Sequence, residues 1–390
     1  MRLILQLPAA VKLFLATELC FGFGTGIWNL NFNFHLKELG FSEVDLGTIA
    51  AFGSVSVAMV SVIAGRLCDR IGYHPAMVLG CLLKASGMAI IAALPGMEFA
   101  FAGQLISGIG DAFILPSEFP FLLSLVDEKY KSLVYNLLIC AYLFAMFFGN
   151  LAGGYLPLRT NWLTTRYEFS LLLSSLSFAM IGAGRYFLPR RKIESESKAL
   201  SFSILKEKKL VWFLLYGVAG MMVFNMISSM VNIVYRKHFG LQDSVIGVLF
   251  SVSTLASCIA VFLLPVIIKG FKNYHTAVAV LTLNSITLAV MSLAGMQLFA
   301  SLWIGFNVLR ITLPGLVDSP MLQSMPENKQ GTYSGMRIFA NNIGMGLGAV
   351  LSGVFISSSR FGFLLLTASF VTVLQLVIYW KGCSKYIGCG

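Results

Sequence analysis

Twelve runs of apolar residues, each about 20 long, constrain this chain more than any other feature. They lie at 11–36, 43–65, 75–95, 98–125, 134–157, 168–188, 210–235, 243–268, 275–295, 297–322, 331–357 and 361–381. Coiled as a helix, such a run matches the hydrocarbon thickness of a bilayer. Backbone polar groups find no water in hydrocarbon, so helices rather than open strands are expected. Of the 390 residues, 57% are hydrophobic and only 12% charged, about half the charge of a soluble domain. The expectation is an all-α integral membrane protein of twelve transmembrane helices. The first run lacks a small-residue cleavage site and reads as a retained helix, not a signal peptide.

The formal net charge is +11, but the distribution of the bases is what informs. About nineteen Lys and Arg fall on the side shared by the two termini and the even-to-odd connections, and about six on the other. Both termini are therefore expected in the cytoplasm, with the plasma membrane as host bilayer. The basicity is no sign of nucleic acid. The basic stretch 190–209 reads as a solvated linker near anionic lipid. Seven cysteines are scattered without metal or disulfide spacing, so no metal or cofactor is expected.

Displaced by 200 positions, the chain coincides with itself at several residues. Gly40 meets Gly240, Gly47 meets Gly247, Pro120 meets Pro320, Gly153 meets Gly353, and Glu118 meets Asp318. Proline and acids are rare in apolar helices, so these matches outweigh coincident leucines. They imply two six-helix bundles, residues 1–188 and 210–390, joined by a cytoplasmic linker at 189–209. Parallel repeats of this kind place the binding site at the interface of the halves near the midplane.

Ionisable side chains at bilayer depth are costly and are functional candidates by default. Here they are Glu18, Lys84, Asp111, Glu118, Arg310, Asp318 and Arg337. Glu118 stands in Pro116-Ser117-Glu118-Phe119-Pro120, where proline removes backbone donors. Asp318, between Pro314 and Pro320, repeats the arrangement. A poorly hydrated carboxyl there can exchange a proton as water access changes sides, and Asp111, Glu118 and Asp318 are the candidates. The competing reading is structural ion pairing with Arg310, Lys84 or Arg337. Glu18 ranks below them. Asn29 with Asn33, one helical turn apart, and Asn225 with Asn232 are candidates for substrate contact or for interhelical hydrogen bonding. His35 and His238 are expected at the solvated outer surface.

The turn Gly65-Arg66-Leu67-Cys68-Asp69-Arg70-Ile71-Gly72-Tyr73-His74 lies between two apolar runs. It resembles the loop between helices 2 and 3 of the major facilitator superfamily, G-x-L-x-D-R-x-G-R-[KR], with Tyr73 and His74 at the two basic positions. The resemblance implies two bundles, with helices 1, 4, 7 and 10 lining a central cavity. It also implies a cytoplasmic gate through Gly65, Asp69, Arg70 and Gly72, with Asp69 facing Arg337 or the start of helix 11, and Arg70 facing Asp127 or Glu128. Two departures stand beside it. Gln104 replaces the arginine of the helix 4 pattern R-x-x-Q-G-x-G. In Gly149-Asn150-Leu151-Ala152-Gly153-Gly154, Asn150 replaces the proline of the exporter pattern G-P-x-x-G-G, though the glycines still permit close helix approach. Gly344-Met345-Gly346-Leu347-Gly348-Ala349 fits a dinucleotide fingerprint only formally and reads as packing.

The sequence therefore points to a secondary transporter working by alternating access, a monomer whose partners are a small-molecule substrate, the lipid bilayer and protons. Intramembrane acids outnumber the bases named above, and the cavity helices are rich in Phe and Met. The leading expectation is proton-coupled export of a small lipophilic or cationic compound. Uptake of a small organic solute, including an anionic one, and lipid flipping are the alternatives. No H-E-x-x-H, G-x-S-x-G or His/Asp cluster supports an enzyme, and nothing supports a receptor.

Overall fold

The computed structural model describes residues 7–159, 163–190, 207–268, 273–325 and 330–386. Most of the expected linker lies outside them. The helices are α1 (Ala9–Glu38), α2 (Glu43–Ile71), α3 (Tyr73–Ala93), α4 (Met97–Ser124), α5 (Glu128–Tyr155) and α6 (Glu168–Tyr186). They continue as α7 (Lys208–Lys237), α8 (Asp243–Ile268), α9 (Asn273–Met291), α10 (Met296–Gln323), α11 (Gln330–Ser357) and α12 (Phe361–Cys383). Among the described residues there is no strand, and eleven helices are long and apolar enough to span a bilayer. The remaining helix, α6, is less apolar because Ser170, Ser174, Ser175, Ser177 and Arg185 interrupt it. Exposed Met59, Ile63, Phe363 and Phe370 are the expected lipid-facing side chains of such a protein.

Turn chemistry explains where helices stop. Gly40 and Gly240, repeat partners in the sequence, both take positive φ, 90° and 67°, which favours glycine. Gly72, between α2 and α3, has φ 91° for the same reason. Two helices are interrupted. Helix α7 breaks after Ser228 and resumes at Val231. Helix α10 is regular only to Arg310, then passes through a wide turn, Pro314–Asp318. Pro314 has no N–H to offer the carbonyl four residues back, and that carbonyl belongs to Arg310.

The chain forms two compact units. The first comprises residues 1–41, 59–197 and 241–258; the second comprises 42–58, 198–240 and 259–390. Within the first, α1 packs on α5 and α6, and α3 on α4 and α6. Within the second, α7 packs on α11 and α12, and α9 on α12 and α10. Helices α2 and α8 are each divided, so the first part of α8 packs in the first unit and the first part of α2 in the second.

Glycine permits the tightest of these contacts. A Cβ at Gly22 would lie 2.0 Å from the Tyr142 carbonyl oxygen, and one at Gly149 would lie 2.2 Å from that of Phe23. The α1–α5 seam is therefore a backbone-on-backbone contact. Gly344 and Gly348 do the same against α7, 2.3 Å from Val218 O and 2.4 Å from Met222 O, which makes the fingerprint-like run a packing surface. Gly247 meets Gly154 in the first unit, and Gly47 meets Gly353 in the second.

Candidate functional site

A buried arginine organises the first unit. Arg185, on the last turn of α6, has no exposed surface. Its Nη2 lies 2.8 Å from Glu18 Oε2 on α1 and 2.7 Å from Glu118 Oε1 on α4. Its Nε donates to Thr17 Oγ1 at 3.1 Å, and Thr17 in turn donates to Phe14 O at 2.7 Å. The guanidinium also lies over the Phe14 ring, 4.3 Å from its centroid. His74 Nε2 donates to the Arg185 backbone carbonyl at 3.0 Å, tying the start of α3 to the end of α6. His74 thus sits where the resembling family carries a base, and is buried. The two carboxyls thus converge on one nitrogen of Arg185. Four elements therefore converge on one cation and two acids.

That ratio matters. Two ionised carboxylates beside one guanidinium leave a negative charge in a medium that cannot screen it. One proton held between Glu18 and Glu118 neutralises the group. Arg185 was not among the sequence candidates. It falls in the last turn of its span, where a base reads as part of the adjoining cytoplasmic loop. An acid two turns into α1 with no base within a turn of it was the available signal.

The other intramembrane acids are paired one to one. Lys84 Nζ on α3 lies 2.6 Å from Asp111 Oδ1 on α4, with Phe178 beneath the ammonium at 4.9 Å from its ring centroid. Arg337 Nη2 on α11 lies 2.6 Å from Asp318 Oδ2. Arg337, expected opposite Asp69, thus has its carboxylate from the wide turn of α10, and the Asp69 side chain lies outside the described residues. With Arg185 included, Glu18, Asp111, Glu118 and Asp318 are matched in number by Lys84, Arg185, Arg310 and Arg337. The excess of acids that pointed to a cationic compound does not survive that count.

Arg310 differs from the rest. Its guanidinium lies 3.5 Å from the Phe224 ring centroid, and Nη2 contacts Met221 Sδ at 3.1 Å. Among the described residues it has no carboxylate within ion-pair distance.

The asparagine stripes divide. Asn29 is exposed, but Asn33 is buried and so does not share its setting. Asn225 donates to Met345 O at 2.7 Å, tying α7 to α11, and Asn232 accepts from the Ile233 N–H beside the α7 break. Asn150 is buried and donates to Thr254 Oγ1 at 3.0 Å, and Gly153 packs on Leu30 and Ile27. His35 corrects an expectation. It is buried, not solvated, with Nδ1 2.7 Å from Thr165 Oγ1 and Nε2 3.0 Å from Ile91 O. Folding of the 163–167 segment over the end of α1 covers it. His238 is exposed as expected. Gly65 has open space at its Cβ position. Arg70 is exposed and makes no ion pair with a described residue. Glu128 pairs with Lys131 one turn on, and Asp127 stands at the α5 N-cap.

Eleven apolar spans among the described residues, with charges buried between them, make this a polytopic membrane protein. The sequence model of the Major Facilitator Superfamily matches residues 14–349, and the chain belongs to that family. Multidrug resistance protein 1 of Bacillus subtilis (strain 168) is 22% identical over 358 residues, 89% of this chain and 90% of that protein. Multidrug resistance protein MdtH of Klebsiella pneumoniae (strain 342) is 22% identical over half of each chain. Among solved structures, the nucleoside transporter NupG superposes with a TM-score of 0.76 at 12% identity, covering 96% of this chain and 99% of that one. The human organic anion transporter MFSD10 gives 0.69 at 14%, covering 95% and 99%. At these identities the structures share the fold.

Proposed function

We propose that this transporter is a proton-coupled exporter of small lipophilic compounds, working by alternating access as a monomer in the plasma membrane with both termini cytoplasmic. The observation that carries the reading is the cluster of Glu18, Glu118 and Arg185, in which two acids share one buried cation. Protonated, the cluster is neutral and suits a dry site. Deprotonated, it needs water, so loss of the proton favours the state in which water reaches it. The multidrug relatives support export, and the Phe- and Met-rich helices suit apolar substrates.

Reconstituted protein tests this. Vesicles with an acid interior, with the cytoplasmic face outward, should accumulate a lipophilic dye, and a protonophore should abolish the accumulation. Glu118→Gln is expected to lower gradient-driven accumulation at least tenfold while leaving gradient-free exchange of the dye in place. Full accumulation by that variant, or accumulation insensitive to the protonophore, defeats the proposal.

A further inference from the structure

The cation of the second unit has a setting unlike any other charge in the spans. Arg310 stands at the middle of the 28-residue α10, at the depth where a cation is most costly. An arginine stays charged at any pH the protein meets and carries five N–H donors in a rigid fork. Here one face is taken by the Phe224 ring, 3.5 Å from its centroid, and one donor by Met221 Sδ at 3.1 Å. A thioether is a weak acceptor, and a ring face offers no hydrogen-bonding oxygen. Among the described residues no oxygen acceptor of Arg310 is found. Asp318, the acid that its own helix supplies, is engaged by Arg337 at 2.6 Å.

The backbone around Arg310 is that of a site rather than of a membrane strut. Regular helix ends at this residue, and the wide turn Pro314–Asp318 follows. Discontinuous membrane helices of transporters occur where a solute is bound. The side chain is partly exposed, as are Met221, Phe224 and Asn307 beside it. A lipid phosphate lies at the membrane surface, about 15 Å from mid-span, which leaves a solute within the membrane as the anion that fits.

We propose that Arg310 is the recognition point for an anionic group, a carboxylate or sulfonate, on a lipophilic substrate whose apolar body packs on Phe224 and Met221. The guanidinium grips two oxygens at once, and the ring and thioether preorganise it by holding one face. This assignment rests on the transporter reading and names the substrate class for it. It is independent of how transport is driven.

The test is equilibrium binding to the purified full chain in nanodiscs at one fixed pH, with no gradient, using dansyl-leucine and its uncharged methyl ester. Wild type is expected to bind the acid at least tenfold more tightly than the ester. Arg310→Gln should erase that preference while leaving ester affinity and thermal stability within twofold of wild type, and Arg310→Lys should keep part of it. Three results overturn the proposal: no preference for the acid in wild type, an undiminished preference in Arg310→Gln, or an equal loss of both ligands in that variant. Absence of gradient-driven flux in wild type, with the acid preference intact, counts against proton coupling and leaves Arg310 as assigned.

Discussion

At the scale of the residue, the decisive point is how many partners each buried charge has. Removing one member of a buried group strands the others, whereas removing a whole pair is often neutral. Arg185→Ala leaves two carboxylates buried together and is expected to cost about 3–5 kcal/mol, read as earlier unfolding in a denaturant titration of the purified protein. A loss below about 1 kcal/mol argues that Glu18 and Glu118 are not held by that cation. The pair of Lys84 and Asp111 behaves differently because it is already balanced. Lys84→Met alone should be destabilising, and Lys84→Met combined with Asp111→Leu should recover most of the loss. The intramembrane acids were visible in the sequence because a carboxyl in an apolar run is conspicuous. Lys84 and Arg337 were visible beside them, but not which base meets which acid, because pairing depends on which helices meet. Arg185 escaped for a second reason, its place in the final turn of a span.

At the scale of the element, the α1–α5 seam is set by glycine. Alanine at Gly22 or Gly149 would place a methyl group about 2 Å from a carbonyl oxygen, too close for any rotamer to relieve. Both substitutions are expected to abolish recovery of folded protein by size-exclusion chromatography, while Gly65→Ala, with open space around it, should behave as wild type. Recovery of folded Gly149→Ala at wild-type yield contradicts a backbone contact there. Helix existence was legible from run length alone; the repeat paired Gly40 with Gly240, but their left-handed conformation came only with the structure. The break in α10 was half legible. Pro314 marked it, but the wide turn that carries Asp318 to Arg337 depends on tertiary packing.

At the scale of the whole molecule, two acids related by the 200-residue displacement occupy like places with different partners. Glu43 and Asp243, 200 positions apart in the sequence, are both buried at the first residue of a helix. In the second unit Lys237 Nζ lies 3.1 Å from Glu43 Oε1, and in the first Tyr167 donates to Asp243 Oδ2 at 2.7 Å. Gly47 and Gly247, one turn along, allow the close approach beneath each acid. The proposed transport cycle is expected to open these clasps. In a background with the native cysteines replaced, Asn150→Cys beside Thr254 is expected to react several-fold faster with a membrane-impermeant thiol reagent once Glu43→Gln and Asp243→Asn are added. An unchanged rate contradicts a gating role for the clasps. The repeat announced Gly47 and Gly247, but not the partners of the acids beside them, which lie far away in sequence.

The central claim is that the cluster of Glu18, Glu118 and Arg185 carries the transported proton. The most direct measurement is proton movement itself, followed with a pH-sensitive dye trapped in proteoliposomes as a transported lipophilic compound is added. Wild type should move protons in the direction opposite to the compound, and Glu118→Gln and Glu18→Gln should move none while still binding it. Undiminished proton movement in both variants would contradict the account.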